Sequence, residues 1–186
     1  MLIVFAERDL ARVRLADTPH TLSEITFSVR ALRRREVAGF EPWRGQTRAR
    51  LTPEMRPLVE LVPSRGWIPD FMEPGGRLSD GLTALRAVSA AEVSFDLARI
   101  AAERRPPPLA LNLVTDRKHA LDRLAEAVSA YHTVALAQHW PRIAAAFDVN
   151  RLFPLTVRNR RWTRAEGTLQ LVCEACRGRR VPGRGW

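Results

Sequence analysis

The sequence predicts a mainly α, multi-helix domain with a small β element that pairs an N-terminal strand with a C-terminal hairpin. Three observations lead there. Between residues 21 and 135, apolar side chains recur at i, i+3, i+4 intervals in one segment after another, the period of a helix with one buried face. Two of these segments open on a Ser/Thr-x-x-Glu pattern, Thr21 with Glu24 and Ser89 with Glu92, the reciprocal capping box of a helix start. β-prone residues gather only toward the ends, at residues 1–5 and 156–172.

Taken in order, residues 1–5 read as a short strand and residues 7–15 as a short helix, broken at Thr18-Pro19. From Thr21 the stripe Leu22, Ile25, Val29, Leu32 defines the next helix, and the run Arg33, Arg34, Arg35 suits the negative end of its dipole. Pro42-Trp43 opens a segment with Arg44, Arg48 and Arg50 at helical spacing. Thr52-Pro53 reads as an N-cap followed by Pro, with Met55, Leu58, Val59 and Val62 as the apolar face and Pro57 set to bend or restart the helix. The turn-rich stretch from Pro63 to Phe71 carries two large aromatics, which are expected either buried on the helices or lining a pocket.

Helices are next expected over residues 80–88 and 89–104, with Val93, Leu97 and Ile100 as the buried stripe of the second. Pro106, Pro107 and Pro108 stop it and suggest a hinge at 105–116. Asp116 begins the longest helix, where Leu121, Leu124, Val128, Tyr131 and Ala135 follow a near-heptad seam that serves packing within the chain or across a dimer. Pro141 kinks or ends it, and residues 141–147 add a further turn or two. The expected division is a helical domain over 1–152, a short β-hairpin over 153–172 and a disordered basic tail over 173–186.

Composition narrows the function classes. A hydrophobic fraction of 46% supports a packed core. No stretch approaches the roughly 18 apolar residues of a membrane span, and the apolar start lacks the basic leader of a signal peptide. A cytoplasmic protein without membrane contact is therefore expected. The net charge is +10, and of the 30 basic residues only Lys118 is lysine. Such a bias fits a GC-rich coding background, and it also fits a nucleic-acid or acidic partner.

No catalytic grouping emerges. The histidines His20, His119, His132 and His139 have no carboxylate spaced to complete a metal site with them, and no nucleophile-elbow, P-loop or zincin pattern occurs. Cys173 and Cys176 form a lone C-x-x-C in an arginine-rich tail, short of the four ligands of structural zinc. The expectation is no enzyme, no metal and no cofactor. The basic tail is the stronger feature. From residue 158 onward, eight arginines stand against two glutamates, or +6. Arg158, Arg160, Arg161, Arg164, Arg177, Arg179 and Arg180 are the candidates for non-specific contact with DNA phosphates; the alternative is a tail that simply stays solvated.

Several segments together resemble a known family. Phe40-Glu41-Pro42-Trp43-Arg44, Pro63-Ser64-Arg65-Gly66-Trp67-Ile68-Pro69-Asp70-Phe71, Ala130-Tyr131-His132 and His139-Trp140-Pro141-Arg142-Ile143 are similar in order and spacing to the N-terminal half of ArsR-like winged-helix regulators of streptomycetes and related actinobacteria. The resemblance covers residues 1 to about 151, and continues weakly through Arg161-Trp162 and Leu169-Gln170-Leu171. It implies a domain for dimerisation or effector sensing, with a homodimer or a separate winged-helix protein as partner and a small-molecule effector of unknown identity. No winged helix-turn-helix follows in this sequence, which makes a split or truncated regulator a further reading. The metal-binding cysteines of the arsenic-sensing members have no counterpart. For a ligand pocket the candidates are Trp43, Trp67, Phe71, Tyr131 and Trp140, aromatics near loop breaks; for each, an aromatic-lined core is the alternative. The competing function is DNA binding through the arginine-rich C-terminal arm.

Overall fold

A computed structural model of the chain describes residues 16, 18–34, 39–157, 163–165 and 168–170. The described residues are mainly helical, as the periodicity predicts. Helix α1 runs Thr21–Arg33, α2 Glu41–Ala49, α3 Arg56–Leu61, α4 Leu78–Arg86, α5 Ala90–Glu103, α6 Pro108–Thr115, α7 Arg117–Ala135 and α8 Trp140–Val157. Short 3-10 turns at Pro53–Met55, Asp70–Met72 and Ala137–His139 link them.

Helix α7 is the axis of the body formed by Met1–Ala144. Helices α1, α2, α3, α4 and α6 and the turn Pro53–Met55 all pack against it. Its seam residues Leu121, Leu124, Val128, Tyr131 and Ala135 are buried within this chain, so the seam serves packing within the fold. Ala120, Ala125 and Ala127 are buried beside them, and such small side chains let neighbouring helices approach closely. Asp116 caps the helix by accepting from the His119 amide at 3.4 Å, which satisfies one of the free N–H groups of the first turn.

The helix starts show where local signals hold. At Ser89 the capping box forms in full: the Glu92 amide donates to Ser89 Oγ at 3.2 Å, and the Ser89 amide donates to the Glu92 carboxylate at 2.9 Å. At Thr21 the predicted box does not form. The N-cap is His20, Thr21 is already helical and its side chain is buried. Its amide donates instead to the Gly76 carbonyl at 3.1 Å, so a tertiary partner takes over the work of a cap.

Prolines mark the other boundaries. Pro57 restarts the helix and does not bend it: the 3-10 turn Pro53–Met55 gives way to α3 at Arg56, with Pro57 in the first turn, where no amide donor is required. Pro107 is the N-cap of α6 and Pro108 its first residue. The Pro triplet thus ends α5 and begins α6, and α6 packs on both α5 and α7.

Helix α8 is longer than the one or two turns expected after Pro141. It reaches Val157 and takes in Thr156, both assigned to the hairpin from sequence. Two β-prone residues at the end of an established helix extend it at little cost, since propagation is far easier than nucleation. In the unit Ala145–Trp186, Thr163–Ala165 and Thr168–Gln170 pair antiparallel, with Thr163 opposite Gln170. The strand predicted at residues 1–5, the helix predicted at 7–15 and the basic tail lie outside the described residues. A β element joining the two ends of the chain is not shown.

Candidate functional site

Two clusters in the helical body gather the aromatic residues singled out from sequence. The first lies at the C-terminal end of α7. Pro42 stands in the first turn of α2 and positions the residue after it. Half-buried Trp43 donates its indole N–H to the Ala135 carbonyl at 2.9 Å, an acceptor that the end of α7 leaves free. Phe40 packs edge-on against Trp43, with ring centroids 6.1 Å apart. One turn before the end of α7, His132 meets Trp140, the first residue of α8, edge-on at 5.6 Å. Burial holds the His132 imidazole below its ordinary pKa, so the ring is neutral at pH 7.

Tyr131, the neighbouring residue, is wholly buried. Its hydroxyl lies 3.1 Å from Ser28 Oγ, which in turn donates to the Ile25 carbonyl at 2.7 Å. Ser28 has a single hydrogen, shared between the Ile25 carbonyl and the Tyr131 oxygen. Burial raises the phenol's pKa to about 12, with the Ser28 contact acting the other way. Tyr131 is thus a core residue with a satisfied hydroxyl.

The second cluster is the loop between α3 and α4. Gly66 adopts φ +87° there, a conformation that favours glycine. Trp67 is half-buried beneath the Arg99 guanidinium, which stands 4.5 Å from the ring centroid. The Trp67 amide donates to the Glu103 carboxylate at 3.4 Å. Phe71 is buried in the core, and its amide donates to the Asp96 carboxylate at 3.1 Å. Asp96 is only 2% exposed. Burial raises its pKa, the Phe71 amide and Arg99 lower it, and the charge on Asp70 adds to the rise. Three residues of α5, at positions 96, 99 and 103, therefore clamp the loop that carries Trp67 and Phe71.

Trp43 and Trp140 accordingly meet the end of α7, while Trp67 and Phe71 belong to the α5-clamped loop. The sequence reasoning missed Asp96, Arg99 and Glu103. Asp96 left a trace, since a carboxylate three residues after Val93 and four before Ile100 falls on the buried stripe of α5.

The arginines also have an unexpected role. Arg33 Nη1 donates to the Val59 and Val62 carbonyls at 3.0 and 2.8 Å. Arg104 Nη2 donates to the Leu61 carbonyl at 2.6 Å. Arg30 donates to the Pro63 carbonyl at 3.2 Å and to the Gly66 carbonyl. Arg44, 4% exposed, donates to the Arg34 carbonyl at 3.0 Å and pairs with Glu41, and Arg48 donates to the Leu32 carbonyl. The C-terminal carbonyls of α1 and α3 are therefore capped by guanidinium groups from other turns, a favourable placement of positive charge at the negative end of a helix dipole.

Of the proposed nucleic-acid contacts, Arg164 falls in the first short strand. Arg158, Arg160, Arg161, Arg177, Arg179 and Arg180 lie outside the described residues, as do Cys173 and Cys176. Among the described residues no group of three or more His, Cys, Asp or Glu gathers to hold a metal, and no helix is long and apolar enough to cross a membrane. No family model, no curated protein and no solved structure matches the chain.

Proposed function

We propose that this chain is a non-catalytic helical module related to the N-terminal half of ArsR-like winged-helix regulators, working in the cytoplasm in dimerisation or effector sensing. One observation supports the reading above others. The segments that carry the resemblance are joined through one architecture: the box at residues 40–44 and the pair Tyr131-His132 meet the end of α7, and the loop at 63–71 is clamped onto α5. An effector would be sought first at the end of α7, where Trp43 meets the Ala135 carbonyl and Trp140 meets His132.

The competing reading, DNA binding through the C-terminal arm, draws on the +6 charge of residues 158–186. Gel-shift and light-scattering measurements on the purified chain separate the two. The module reading expects DNA binding that is indifferent to sequence and fades by about 200 mM salt, as phosphate contacts do. A promoter-specific shift persisting at that salt would reject it in favour of DNA recognition by this chain. A partner gene encoding a winged helix beside this one would add independent support.

A further inference from the structure

Four of the guanidinium groups described above converge on one place in the fold. Arg30 and Arg33 project from the last turns of α1, Arg48 from the end of α2 and Arg104 from the end of α5. Their acceptors are Leu32, at the end of α1, and the stretch of chain from Val59 to Gly66. Like charges are therefore held close together: burial, and after it the charge of Arg33, lower the pKa of Arg104, while Glu103 acts the other way. Glu103, which lies beside Arg104 and accepts from the Trp67 amide, is the carboxylate described against this group.

From this geometry we infer that the guanidinium cluster at the C-terminal ends of α1, α2, α3 and α5 docks the phosphodiester backbone of a nucleic acid. Each guanidinium carries five N–H donors in a planar fork. The inner donors are fixed on carbonyls: Arg33 directs both Nη1 hydrogens to Val59 and Val62, and among the described residues its Nε and Nη2 hydrogens are left for an outside acceptor. Arg33 and Arg48 are exposed, and Arg30 and Arg104 are half-exposed. The side chains are thus already ordered when a ligand arrives, and the entropic cost of immobilising them has been met in folding. Charge-assisted bonds from such forks to phosphate oxygens are strong and geometrically selective. A polyanion with regularly repeated phosphates can meet several fixed forks at once, and the +10 chain attracts it at long range. This inference does not rest on the family reading, and it uses none of the arginines of the C-terminal arm.

Fluorescence anisotropy of the full chain with a short labelled DNA duplex, and in parallel a single-stranded RNA of the same length, tests it between about 50 and about 200 mM salt. Each phosphate neutralised contributes about 0.9 to the slope of log affinity against log salt for duplex, and about 0.7 for single strands. R33Q and R104Q are each expected to flatten that slope by about one such step, whereas R123Q, on the exposed face of α7, is expected to leave it unchanged. A loss with either probe supports the site, and the probe bound more tightly identifies its source. Equal losses for all three substitutions, or none for R33Q and R104Q, overturn it. Displacement of the oligonucleotide by poly-glutamate as readily as by unlabelled nucleic acid also overturns it, in favour of an acidic protein partner. Because these arginines hold carbonyls, the unsubstituted chain supplies a second readout. Nucleic acid is expected to protect Arg30, Arg33 and Arg104 from an arginine-selective dicarbonyl reagent, mapped by mass spectrometry, and protection confined to arginines beyond Val157 rejects the proposal.

Discussion

Asp96 is a buried carboxylate that holds a loop in place, and its behaviour with pH follows from its surroundings. Burial raises its pKa in the folded chain, so the folded state binds the proton more tightly than the unfolded state does. Stability therefore falls as pH rises from the ordinary aspartate range through the raised value, and stays lower above it. D96N, which keeps an acceptor for the Phe71 amide, is expected to remove that pH dependence and to cost less than D96A. D96A leaves a buried amide unpaired and is expected to cost about 1–3 kcal/mol; denaturant titrations of the three proteins at pH 5 and pH 7 check both points. Tyr131 offers a cleaner probe still, because it is the one tyrosine in the sequence. Tyrosinate absorbance should stay absent until close to pH 12 and then appear together with loss of helical circular dichroism. Ionisation near 10 with the helices intact would show the hydroxyl to be solvated. The stripe position of Asp96 was visible in the sequence, whereas its acceptor role was not, since Phe71 reaches it from 25 positions away.

At the scale of elements, helix boundaries were legible where the determinants are local. The Ser89 box forms as its spacing predicts, and S89A is expected to lower stability by about 1 kcal/mol, measurable as a shift of the denaturation midpoint at constant slope. The Thr21 box was misread because a backbone acceptor distant in sequence, Gly76, satisfies the first turn of α1. The arginine caps were illegible for the same reason: Arg33 and Arg104 reach carbonyls 26 to 43 positions away, and a run of basic residues does not reveal whose helix end it will serve. Helix α4 carries a further tertiary constraint at Gly81, where a Cβ would stand 2.5 Å from Leu22 Cδ1. Alanine would gain about 1 kcal/mol of helix propensity. It would also push a fully buried leucine off its position, at a cost of about 1–3 kcal/mol. G81A is therefore expected to be destabilising overall, by about 1 kcal/mol, and a more stable variant would mean that α1 and α4 part easily.

For the molecule as a whole, the mainly helical class could be read from sequence because α7 announces itself: its apolar seam, its Asp116 cap and its length are all local properties. The neighbours that surround α7 were not specified by that pattern, and neither was the separation of the aromatic candidates into two clusters, which depends on how loops fold back. The central place of α7 carries the last expectation. Leu124 is fully buried on a helix that five others pack against, so the void left by L124A would border several elements at once and no single neighbour could collapse into it. A loss of about 2–5 kcal/mol is expected, toward the upper end of what buried leucines show. Because the elements share this one core, circular dichroism and tryptophan fluorescence should report the same weakened transition. Two separated transitions would mean that the α5-clamped loop unfolds apart from α7, and that the two aromatic clusters belong to independently stable pieces.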